Sequence, residues 1–215
     1  MKRIRLSLWL LCVSSFIASA QTNAPNQTAV TDIHLREAKL QQALELYAQI
    51  KGRTILRQPL LKPITVSLDT EIPTAAAAFE DMLRQRGIAT IPEGDKFVMV
   101  VPISLTNSVT PRSNKIVSTV LGDLSSMTNN EVIPAGTINF LPTDWNQVIP
   151  IYSDIIERKP ASGSKFPYGL IYLRTVNPLS KAEVIYALET LFAWNGLQLV
   201  PEDDKTFRAE SLSER

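Results

Sequence analysis

The stretch Thr31-Asp32-Ile33-His34-Leu35-Arg36-Glu37-Ala38-Lys39-Leu40-Gln41-Gln42-Ala43-Leu44-Glu45-Leu46-Tyr47-Ala48-Gln49-Ile50-Lys51-Gly52 changes period partway along. Ile33 and Leu35 alternate with Asp32 and His34, the two-residue repeat of a short strand with one buried side. Leu40, Ala43, Leu44, Tyr47 and Ile50 then recur at helical spacing, with Gln41, Gln42, Glu45 and Gln49 on the opposite side, and Gly52 suits a left-handed cap. Further on, residues 54–56 read as a strand, Pro59 and Pro63 bracket a turn, and Ile64, Val66 and Leu68 alternate as another strand. Pro73 fits the first turn of a second helix that carries Ala76, Phe79, Met82 and Leu83 inward and ends at Gly87. Residues 88–91 and 97–101 flank Pro92-Glu93-Gly94-Asp95-Lys96 as a hairpin.

The same order returns later in the chain. Ile138, Phe140, Trp145, Val148, Ile149, Tyr152, Ile155 and Arg158 follow Ile33, Leu35, Leu40, Ala43, Leu44, Tyr47, Ile50 and Arg53 at a constant offset of 105 positions. Residues 170–173 supply a middle strand, and Ser180-Lys181-Ala182-Glu183 is a capping box. That box opens a helix through Val184, Leu188, Leu191 and Phe192 to Gly196. Pro201-Glu202-Asp203-Asp204-Lys205 matches 92–96 at an offset of 109. The pattern reads as an internal duplication. It predicts an α+β fold of two tandem small domains, 31–102 and 136–210, each strand-helix-strand-strand-helix-strand-strand with two helices packed against small mixed sheets. Two departures are expected in the second copy. Pro150 should kink its first helix or postpone its start. The polar stretch 159–169 reads as a loop, leaving the strand at 54–56 without a counterpart. The linker 103–135 is rich in Ser, Thr and Asn, with Ile116 to Leu124 forming one short helix or strand, and suits either a tether or a packed strap.

Composition narrows the classes of function. The 215 residues are 45% hydrophobic and 20% charged, an ordinary globular mixture. Met1 to Ala20, MKRIRLSLWLLCVSSFIASA, has a basic start, an apolar stretch and a terminal Ala18-Ser19-Ala20, which reads as a signal peptide cleaved after Ala20. Residues 21–30 read as a flexible segment. The expected location is periplasmic or otherwise exported, with no transmembrane span after cleavage. The chain has 22 Lys and Arg against 21 Asp and Glu, and losing Lys2, Arg3 and Arg5 with the leader tips the balance acidic, so nothing points to nucleic acid. Cys12 leaves with the leader, so disulfides play no part. One histidine and no mature cysteine argue against a transition-metal site, and no cofactor is expected.

Motifs for chemistry are few. Ser162-Gly163-Ser164-Lys165 has the S-x-x-K spacing of serine–lysine hydrolases but lacks their companion S-D-N and K-T-G elements. The acidic tips Glu93/Asp95 and Glu202/Asp203/Asp204 lack the spaced oxygen ligands of a calcium loop and read as solvated turns. His34 alternates with buried neighbours and has no partner in sequence for general-base work. Trp145, Trp194, Tyr152, Tyr172 and Phe192 could stack on glycan, although their spacing suits a core. The expected role is therefore non-enzymatic. Small α+β units leave strand edges that another chain can extend. The candidates are Thr54, Ile55, Leu56 and Arg57, and Val98 and Val100 within the unusually apolar Phe97-Val98-Met99-Val100-Val101. The sequence leaves open whether those edges are free or covered internally.

The first copy resembles the amino-terminal periplasmic domain of secretins, the STN domain shared with TonB-dependent signalling receptors. The resemblance rests on Ile33-His34-Leu35-Arg36-Glu37-Ala38-Lys39-Leu40, the helix to Gly52, Ile64-Thr65-Val66-Ser67-Leu68 and Met82-Leu83-Arg84-Gln85-Arg86-Gly87-Ile88. The second copy keeps Leu179-Ser180 and Glu189-Thr190-Leu191-Phe192-Ala193-Trp194-Asn195-Gly196-Leu197. The resemblance implies two helices between a small and a larger sheet, no catalysis, and docking on envelope proteins of a secretion or pilus machine. The barrel-forming region of secretins is not recognised in the sequence, so the implied role is an adaptor. Self-association is left open. The alternative is a cell-wall or glycan-binding protein using exposed aromatics, with the serine–lysine hydrolase a distant third.

Overall fold

The computed structural model describes residues 32–109, 116–124, 131–164, 166, 169–212. The expected leader, its cleavage site and the whole segment before β1 lie outside the described residues. In the first half, β1 (Asp32–Lys39), α1 (Leu40–Lys51), β2 (Thr54–Arg57), β3 (Thr65–Glu71), α2 (Ile72–Gln85), β4 (Ile88–Glu93) and β5 (Phe97–Pro102) follow in order. A 3-10 turn, Ile103–Ser108, leads to the hairpin β6 (Val117–Ser118) and β7 (Gly122–Asp123), then to β8 (Val132–Ile133). The second half comprises β9 (Asn139–Asp144), α3 (Trp145–Ile156), β10 (Lys159–Pro160), β11 (Leu170–Arg174), β12 (Leu179–Ser180), α4 (Lys181–Trp194), β13 (Leu197–Pro201) and β14 (Thr206–Ser211). The class is α+β.

Strand pairing runs in the same order in both halves. β1 pairs antiparallel with β3, and β9 antiparallel with β11. β2 lies parallel to β5, which pairs antiparallel with β4; β10 lies parallel to β14, which pairs antiparallel with β13. The strand at 54–56 therefore has a counterpart, contrary to the expected loop. Lys159 and Pro160 contribute just two residues to it, too few and too polar to register as a periodic strand. The two ribbons even share an irregularity. Register shifts between Leu35 and Ala38 on β1, where Glu37 takes a φ of 47° and its N–H donates to Ser67 Oγ at 3.1 Å. On β9 the shift falls at Leu141 and Pro142, opposite Tyr172. A bulged residue leaves the ladder, so a proline without an N–H is tolerated there.

Local chemistry accounts for the helix limits. Gly52 closes α1 at a φ of 62°. Ser180 Oγ accepts from the Glu183 N–H and Glu183 Oε2 from the Ser180 N–H, the expected capping box. In α2, Ala75 rather than Ala76 is fully buried with Phe79, Met82 and Leu83, a shift of one position that preserves the helical stripe. Pro150 does not postpone α3, which starts at Trp145 and runs through it. Pro150 is exposed, so the helix carbonyl it leaves unpaired can be solvated.

In the first half, α1 and α2 lie between the β1–β3 ribbon and the three-stranded sheet: Ile33, Val66, Leu44, Phe79, Val98 and Val100 belong to one buried cluster. The other face of that sheet is not left to solvent. Leu56, Phe97, Met99 and Val101 join a second cluster with Tyr186, Leu188, Phe192, Ile171 and Phe207. The first cluster lies within residues 31–102, whereas the second crosses the expected boundary and draws on both halves. α4 is buried on nearly every side, ten of its residues from Ala182 to Phe192 being inaccessible, as expected of a helix apolar all round. The rings of Phe97 and Tyr186 pack edge to face with centroids 5.8 Å apart, and the Tyr186 hydroxyl donates to Glu93 Oε1 at 3.0 Å. Glu93 is thus buried rather than at a solvated tip, because α4 packs over its strand. Part of the segment between the halves is a strap: Val120 and Leu124 of the β6–β7 hairpin are buried against the second half.

Candidate docking groove beside strand β2

The expected edge strands fare differently. β5 is the central strand of its sheet, bonded to β2 on one side and β4 on the other. Val98 and Val100 are buried within it and offer no edge. Their apolar run has another cause: both faces of β5 are covered, and strands buried on both faces read as continuous hydrophobic runs. On β2, Thr54 and Leu56 are fully buried toward the second half. Thr54 Oγ1 donates to Asn177 Oδ1 at 2.6 Å and accepts from the Val176 N–H at 3.2 Å, so the chain after β11 meets the outer side of β2 there. Ile55 is half-buried against the first core. Of the six residues, Arg57 alone reaches a surface that a partner could enter.

Alternation along β2 turns Arg57 away from the side of Leu56, toward α1 and β11. Its Nη1 donates to Gln41 Oε1 at 2.7 Å and its Nη2 to the Leu61 carbonyl at 3.4 Å. The guanidinium carbon lies 4.7 Å from the centroid of the Tyr172 ring, a stacking arrangement that arginine favours. Tyr172 is available because the β9 bulge leaves it out of the ladder, while Ile171 and Leu173 point into the core. Burial pulls the Arg57 guanidinium below its ordinary value, and the Tyr172 ring opposes that shift. Arg57 Nε is buried without a hydrogen-bond partner among the described residues.

Arg57 and Tyr172 stand in the wall of an open groove of about 670 Å³, completed by Lys39, Gln41, Ile64, Thr65, Arg86 and their neighbours. Among the described residues three cations line it and no acid does. Leu40, Pro63 and Ile64 supply apolar wall. A second cavity on the other side of Arg57, where Arg174 Nη1 meets Glu45 Oε2 at 3.3 Å, holds only about 30 Å³ and is too small for a ligand. Lys39, Arg86 and Tyr172 carry no sequence signal of their own, since they come from three elements far apart in the chain.

The remaining candidates do not assemble. Ser162 lies in an exposed turn, and Lys165 falls outside the described residues. His34 Nδ1 pairs with Asp69 Oδ1 at 2.9 Å on the open side of the ribbon, both largely exposed. No cluster of three metal-ligating side chains occurs among the described residues. Trp145, Tyr152 and Phe192 are stacked and edge-packed in the core. Only Tyr172 and Trp194 of the five aromatics keep partial exposure.

Fold and groove together define an α+β protein with a cationic cleft at the junction of its halves. No family model matches the chain, and no curated protein matches it. A solved structure titled "Structure of XcpQN012" is similar at 20% identity and a TM-score of 0.29, over 33% of this chain and 34% of that one. The match thus spans about a third of either molecule. Among the described residues no helix is long and apolar enough to cross a membrane.

Proposed function

We propose that this chain is a non-catalytic docking module of the cell envelope, made of two copies of one secretin-amino-terminal-like design and exported by its leader. The observation that carries the docking role is the open groove of about 670 Å³, within the size range of ligand sites. It is walled by Arg57 from one of the strands expected to bind a partner. The leader and the likeness of residues 33–88 to STN domains support the envelope location. The shared order of strand pairing in the two halves supports the duplication. A photo-crosslinking residue at Thr65, on the groove wall and exposed, tests the docking role in envelope extracts. The expected result is a discrete protein adduct that Arg86→Glu abolishes. Adducts confined to the glycan fraction would favour the alternative reading and overturn this one.

A further inference from the structure

We infer that the groove takes an extended acidic segment of a partner protein, its carboxylates facing Lys39, Arg57 and Arg86; this rests on the docking reading and specifies its occupant. Charge is the first argument. Three cations converge on one cleft with no acidic side chain among its described lining residues, whereas five cations elsewhere are paired with carboxylates: Lys51 with Glu80, Arg84 with Asp81, Arg174 with Glu45, Lys181 with Glu157 and Arg208 with Glu210. The formal balance of the chain without its leader is slightly acidic, so the cationic groove is a local departure and not a general basic surface.

Shape is the second. A guanidinium presents planar, forked donors that match a carboxylate. Arg57 is held in place by Gln41, the Leu61 carbonyl and the Tyr172 ring, so it is already positioned before a ligand arrives, which lowers the ordering cost of binding. The apolar wall from Leu40, Pro63 and Ile64 suits the aliphatic parts of a peptide better than a bare inorganic anion, and a volume of about 670 Å³ exceeds what such an anion fills. A charged groove of this kind steers and selects partners through its field.

The test uses the leaderless chain and a fluorescein-labelled octapeptide alternating glutamate and alanine, with the glutamine–alanine octapeptide as control. Fluorescence anisotropy should show binding of the acidic peptide and, by loss of its charges, about tenfold or weaker binding of the control. Affinity should fall as salt rises, because exposed cations are screened over about 10 Å. Arg86→Glu and Lys39→Glu change exposed side chains, so both should fold with unchanged circular dichroism and melting while each lowers affinity about tenfold or more. Equal binding of the two peptides, unchanged affinity in the folded charge reversals, or full competition by equimolar inorganic phosphate would overturn the inference. Persistence of the envelope crosslink at Thr65 in Lys39→Glu, together with no acidic-peptide binding, would retire the acidic occupant and leave the docking role standing.

Discussion

Gly169 lies flat against the indole of Trp145: a methyl group built on it would sit 1.6 Å from Nε1 and 2.0 Å from Cε2. No side chain can be accommodated without moving Trp145, which is stacked on Phe192 at 5.6 Å and fully buried. Gly169→Ala should therefore destabilise the protein by about 1–3 kcal/mol through overpacking, read as a lower denaturation midpoint in urea. A second residue-scale contrast concerns the turn after the first helix of each half. Gly52 and Glu157, 105 positions apart, both adopt the left-handed conformation, at φ 62° and 58°. Glycine does so without strain, and a residue with a Cβ does not. Gly52→Ala meets no neighbouring atom, so its destabilisation, about 1 kcal/mol from the backbone alone, isolates that effect. Glu157→Gly should raise the melting temperature, despite losing an exposed contact with Lys181.

At the scale of elements, each pair of helices is braced by one tyrosine–glutamate hydrogen bond. Tyr47 on α1 donates to Glu80 on α2 at 2.7 Å, and Tyr152 on α3 donates to Glu189 on α4 at 2.6 Å. What completes each carboxylate differs. Lys51 joins Glu80 at 3.1 Å in a half-exposed setting. Buried Glu189 also accepts from Ser118 Oγ and from the Thr119 N–H and Oγ1 of the strap. Burial raises the Tyr47 and Tyr152 hydroxyls, and their glutamate partners raise them further, so both stay protonated and donating. Burial would raise Glu80, but the Tyr47 hydroxyl and Lys51 outweigh it and hold the carboxyl below the ordinary glutamate range. A lowered carboxyl contributes stability above its unfolded value, and that contribution fades as pH falls through the folded value. Tyr47→Phe should thus cost stability at neutral pH, with the gap from wild type closing in strongly acid solution, as followed by urea melts across pH. Glu189→Ala removes the acceptor of four bonds and should lower stability by about 3 kcal/mol or more; residues 117–124 should then gain hydrogen exchange faster than the rest. These tyrosines were legible as core-facing positions in the sequence, as were the capping box and the helical stripes, because local period and local chemistry determine them. The glutamates were not, since each sits on a polar-looking position whose partner arrives from another helix or from the strap. β10 escaped for a related reason: two residues of parallel strand depend on a pairing with Thr206 and Phe207, far along the chain.

For the whole molecule, the decisive arrangement is α4 seated between its own sheet and the far face of β2, β5 and β4. The five-residue apolar run at β5 told that something covers it, but nothing local could say whether that cover is a foreign strand or a helix eighty positions on. The groove was equally hidden, being the meeting place of residues 39, 57, 86 and 172. A fragment ending at residue 109 would uncover Leu56, Phe97, Met99 and Val101, and it should aggregate or bind a hydrophobic dye, whereas the chain from residue 21 should unfold in one cooperative transition by denaturant titration. Phe97→Ala should cost about 3–5 kcal/mol even though residue 97 lies outside the half that supplies most of its neighbours. The chain emerges amino end first, whether from a ribosome or from an export channel, so residues 54–102 are delivered before residue 181. Any sheet that forms from them ahead of the last helix presents one oily side to water until that helix arrives.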